Sequence, residues 1–175
     1  MKGGKMVEMI SPYAVGDWIV HHAYGIGQIK KIEVKPIHGE QMPCFKVITR
    51  NSAFWFPKNR TDNPRIRPVA TPELVQRAKK ELQKTVRDLD PDRMMWRERI
   101  EEVKSHDDLV AISQLVRDLT ILRTQRRLNQ TEEKALNHFS ERLLREWSAT
   151  MNTDIDTTRL KLNDYLRICK ERASV

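Results

Sequence analysis

The sequence predicts an α+β protein: a small bent β-sheet or Tudor-like (SH3-like) barrel in front, and a compact all-α bundle of about five helices behind. Three observations predict it. All six glycines precede Glu40 and all eight prolines precede Asp92, so neither breaker occurs in the rear of the 175-residue chain. Strand-type alternation runs through Val15–Glu33. Helix start signals then recur from Thr71 onward.

The front elements come first. In VGDWIVHHAYGIGQIKKIE, Trp18 and Val20 alternate with Ile19 and His21, and Ile29 to Ile32 continue beyond Gly25-Ile26-Gly27. The pattern predicts a hairpin with its turn at those glycines, which enter positive φ without steric cost. Such a hairpin is not stable alone and must recruit strands. Pro36 to Glu40 reads as a turn, Cys44–Thr49 as a third strand and Ala53–Phe56 as a fourth. Pro57 has no N–H to extend the pairing. Residues 1–12 read as a flexible leader with Met1, Met6 and Met9 as candidate starts, 13–58 as the β domain, and 59–71 as an arginine-rich linker.

The rear elements, over 72–175, are amphipathic helices. Thr71-Pro72-Glu73 supplies an N-cap oxygen, a proline at the first helical position and an acid in the first turn. Val75, Ala78, Leu82, Val86 and Leu89 give that helix one apolar face. Asp90-Pro91-Asp92 opens a second helix to about Ser105, Asp107 or Asp108 a third, Thr131 a fourth and Asp154 or Asp156 a fifth.

Charge and chemistry narrow the function. A net charge of +8 favours an anionic partner, although from Glu73 onward 21 basic residues face 19 acidic ones. No apolar run is long enough to cross a bilayer, and two distant cysteines, Cys44 and Cys169, fit a reduced cytoplasm better than a disulfide framework. No P-loop, GxSxG, HExxH or CxxC pattern supports catalysis, and adjacent His21 and His22 point to opposite faces of a strand. No cofactor or metal is expected.

Two aromatic positions stand out. In Phe54-Trp55-Phe56, alternation exposes the tryptophan or the phenylalanines unless both faces are buried. Trp96 lies early in a helix among Arg93, Arg97 and Arg99, a setting for insertion beside a base step with guanidinium groups on phosphates. The i, i+4, i+7 spacing of Trp96, Ile100 and Val103 is equally that of a core stripe. Lys79-Lys80, Arg123, Arg126-Arg127 and Lys134 are further candidates for phosphate contact.

Gly16-Asp17-Trp18-Ile19-Val20-His21 with Gly25-Ile26-Gly27-Gln28-Ile29 resembles the opening of the CarD-like (CdnL-like) family of bacterial transcription regulators, a module shared with transcription-repair coupling factor. Met95-Trp96-Arg97-Glu98-Arg99, Leu115-Val116-Arg117-Asp118-Leu119 and the helix start from Leu128 to Leu136 extend the resemblance at consistent spacing. It implies a sheet domain on the β-subunit lobe of RNA polymerase, through Lys35, Ile48, Phe54, Trp55 and Phe56. It also implies a helical domain on promoter DNA at the upstream edge of the bubble. Trp96 is then a minor-groove wedge that stabilises the open complex, with Arg93, Arg97, Arg99, Arg126, Arg127 and Lys134 on phosphates. A cytoplasmic monomer is the expectation. A protein–protein adaptor without DNA contact is the alternative.

Overall fold

The computed structural model describes residues 11–60 and 63–173, so the candidate starts and nearly all of the leader lie outside the described residues. The chain divides into two compact units, the first ending at Pro68 and the second beginning at Val69.

The first unit is an antiparallel sheet of β1 (Trp18–His21), β2 (Gly25–Ile37), β3 (Glu40–Thr49), β4 (Ala53–Pro57) and β5 (Ile66–Pro68). The strand order is β4-β3-β2-β1-β5. One face buries Ile19, Ile29, Phe45, Val47, Phe54, Phe56 and Ile66, with Tyr13 packed against them. The sheet stays open at β4 and β5, so the expected barrel is not closed; the short outer strands leave no pairing between those edges.

Two sequence expectations are corrected here. The β1–β2 turn lies at residues 22–24, not at the glycines. The His21 imidazole fixes it there, because Nδ1 accepts the N–H groups of Ala23 at 3.0 Å and Tyr24 at 3.3 Å. Gly27 sits within β2, where a Cβ would lie 2.6 Å from Val47 Cγ1 and 3.0 Å from the Ile48 carbonyl oxygen, so packing demands glycine. The linker expected over 59–71 in fact supplies β5, which pairs with β1 from Ile66 to Pro68. Buried Ile66 completes the core, and three residues are too few for alternation to be visible in sequence. The turn between β2 and β3 is as expected: His38 (φ 51) and Gly39 (φ 86) both take positive φ, as a tight hairpin turn requires.

The second unit holds α1 (Pro72–Leu82), α2 (Arg93–His106), α3 (Leu109–Gln125), α4 (Gln130–Met151) and α5 (Ile155–Ala173). Each of the first four starts on a side-chain cap: Thr71, Asp92, Asp108, and Asn129 in a reciprocal capping box with Glu132. Asp154 does the same for α5 by accepting the N–H groups of Asp156 and Thr157. Most of α3 is buried, and the other helices pack around it. Val69–Thr71 belongs to this unit, since Thr150 donates to the Ala70 carbonyl and the Ala70 N–H donates to the buried Glu146 carboxylate. α1 stops at Leu82, short of Val86 and Leu89, and residues 83–92 form no regular element.

Candidate functional site

Strand alternation in β4 puts Phe54 and Phe56 into the sheet core and Trp55 on the outer face, 40% exposed. The two phenylalanines, expected as contact residues, are core residues of the sheet in the free chain, at 8% and 4% exposure. Antiparallel pairing places Trp55 opposite Lys46, and Lys46 opposite Lys31. Glu33 lies at the centre of this face. It accepts the Trp55 indole N–H at 2.8 Å and pairs with Lys31 at 2.7 Å, Lys35 at 3.6 Å and Lys46 at 3.7 Å. Hydrogen bonding from Lys31, then from Trp55, holds its carboxyl down at about 2. Lys35 and Lys46 also stand over the Trp55 ring, at 4.6 and 5.3 Å from its centre. Ile48 and Trp18 continue the same exposed face along the register. The result is a pre-oriented aromatic ringed by ammonium groups. Of the contact residues expected from the sequence, Lys35, Ile48 and Trp55 share this face, and cross-strand pairing adds Trp18, Lys31, Glu33 and Lys46 to it.

In the helical unit Trp96 is 0% exposed and packs with Ile100 and Val103 in the core. The core-stripe spacing is what the fold uses. Its Nε1–H donates to the Asp90 carbonyl at 2.7 Å, so the indole has no unsatisfied polar atom and no surface facing solvent in this conformation. Met94, on the same first turn, is 68% exposed.

The cations divide into two groups. Arg99 donates to Asp118 at 2.7 Å and stacks over the Trp96 ring at 5.2 Å. Asp118 also accepts Arg117 Nε at 2.6 Å, and Arg117 reaches the Glu81 carbonyl at 2.8 Å, which ties α1, α2 and α3 together. Arg126 forks onto Glu132 at 2.8 and 2.9 Å, holding the turn between α3 and α4. Lys79 lies over the Trp147 ring at 4.5 Å. These side chains are engaged in structure. Arg93, Arg97, Arg127 and Lys134 are exposed. Arg93 and Arg97, together with Met94, flank a cleft of about 640 Å³ against the start of α4.

Among the described residues no cluster of His, Cys, Asp or Glu could hold a metal ion, and no helix is long and apolar enough to cross a membrane. Both cysteines are buried free thiols.

Two family models match the chain in order: the CarD-like/TRCF RID domain over residues 13–70 and the CarD C-terminal domain over residues 78–163. No curated protein gives a significant match.

Proposed function

The chain belongs to the CarD/CdnL-like family of transcription-associated, RNA polymerase-interacting proteins, and on that premise we propose that it docks on the polymerase β-subunit lobe through its sheet and stabilises the promoter open complex through its helical unit. The family is one of non-enzymatic transcription factors. The observation that carries the reading is the Trp55 face. An aromatic held by Glu33 and flanked by Lys35 and Lys46 has the composition of an interface anchor: a large ordered side chain, little entropy to lose, and charges suited to an acidic counterpart.

On the helical unit, Arg93 and Arg97 provide exposed charge for DNA phosphates. The wedge by Trp96 requires the indole to leave the core and give up its bond to Asp90. Such an exchange stabilises the open state only when unstacked DNA binds the released form better than duplex does. A second reading, an adaptor that touches polymerase without DNA, is favoured by that same burial and by the near-neutral charge of the helical unit.

The docking step is tested by titrating the isolated β-subunit lobe with the full chain and with Trp55→Ala. An interface hot spot raises Kd by roughly thirtyfold on truncation, about 2 kcal/mol. An unchanged Kd moves the docking surface elsewhere.

A further inference from the structure

The cleft between the first turns of α2 and α4 has a composition that its sequence neighbours conceal. Arg93 and Arg97 are spaced i, i+4 on α2 and both line it. Its two acidic lining residues, Glu101 and Glu132, are already engaged: Glu101 takes Lys104 at 2.5 Å, and Glu132 takes the Arg126 fork and the Asn129 N–H. The charge of Arg93 also helps keep Glu132 ionised, and neither Arg93 nor Arg97 makes a hydrogen bond or ion pair with a described residue, which leaves both guanidinium N–H arrays open to an anion. Exposed Met94 gives it an apolar side, and Thr131 adds a hydroxyl. Its volume, about 640 Å³, lies within the roughly 300–1,000 Å³ of small-ligand sites.

We propose that this cleft holds one nucleotide unit, with its phosphate on the Arg93 and Arg97 guanidinium groups and its base against Met94. Guanidinium groups bind phosphate oxygens through paired N–H donors. A thioether packs favourably on an aromatic ring. The unit comes either from an unpaired DNA strand or from a free nucleotide, since both present the same phosphate and base. The inference deepens the DNA-contact reading and rests on α2 as the element that faces nucleic acid.

The test uses the full chain without polymerase, titrated with a six-residue oligothymidylate and, separately, with thymidine monophosphate. The oligonucleotide binds the wild type, and the double variant Arg93→Gln/Arg97→Gln weakens it by about tenfold or more. Losing that phosphate contact also lowers the slope of log affinity against log salt by about 0.7. Met94→Ala weakens binding with the slope unchanged, and Arg77→Gln, exposed on α1 and outside the cleft, leaves both as they are. Circular dichroism establishes that each variant is folded. Binding of the monophosphate with the same arginine dependence assigns a free nucleotide; binding of the oligonucleotide alone assigns a strand. Wild-type affinity in the double variant, or no binding of either probe at millimolar concentration, overturns the site. Arginine-dependent binding with an unaltered open-complex lifetime overturns the regulator reading and leaves the cleft standing.

Discussion

The indole N–H of Trp96 donates to the main-chain carbonyl of Asp90 at 2.7 Å, from a side chain with no exposed surface. Trp96 is thus a core residue of the free chain, whatever it does on DNA. Trp96→Ala should cost about 3–5 kcal/mol of stability, the range for truncating a buried aromatic. Trp55→Ala should cost under about 1 kcal/mol, because that ring is half in solvent. Chemical denaturation of both variants checks the contrast. Equal losses would mean that Trp96 is not packed as described.

Arg126 and Arg127 are neighbours with different fates. Arg126→Ala strands the buried Glu132 carboxylate and is expected to destabilise by about 3–5 kcal/mol. Arg127→Ala falls within about 0.5 kcal/mol of wild type. Thermal unfolding of the two single variants reads the difference directly.

The identity of these arginines was only partly legible in the sequence. Caps and apolar periodicity announced five helices, and glycine and proline placement announced the sheet, because both signals are local. Ion pairing is not. Arg99 meets Asp118 nineteen positions away and Arg117 meets the Glu81 carbonyl thirty-six away, so no window of sequence shows that they are spent. The Phe54-Trp55-Phe56 alternation was visible, but which side faces the core depended on β3. Periodicity carried α1 through Val86 and Leu89, whereas the backbone leaves the helix after Leu82 and its Asp90 carbonyl meets Trp96. There a tertiary requirement overrides the local pattern.

His21 makes the sheet unit sensitive to acid. Burial, then the charges of Arg65 and His22, hold its pKa below the usual imidazole value. Protonating Nδ1 would also break both turn bonds from Ala23 and Tyr24. The folded state favours neutral His21, so its contribution is fully present above the unfolded pKa, about 6.5, and is lost as pH falls through the lowered folded value. Melting temperature should therefore drop below about pH 6.5, and drop less in His21→Gln. Parallel pH profiles for the two proteins would contradict this.

Gly27→Ala inserts a methyl group against Val47 and the Ile48 main chain. Overpacking of this kind costs about 1–3 kcal/mol. Denaturant titration should show the loss. A neutral effect would mean that β2 and β3 separate there without penalty.

The central claim is that the chain docks on polymerase and lengthens the life of the open promoter. The most direct measurement is the dissociation half-life of open complexes formed by cognate polymerase, with no protein, wild type, Trp55→Ala and the conservative Trp96→Phe, which keeps the core filled. The account predicts a longer half-life with wild type, loss of the effect at limiting protein with Trp55→Ala, and a reduced effect with polymerase-bound Trp96→Phe. A wild-type protein that binds polymerase and leaves the half-life unchanged would contradict it and favour the adaptor.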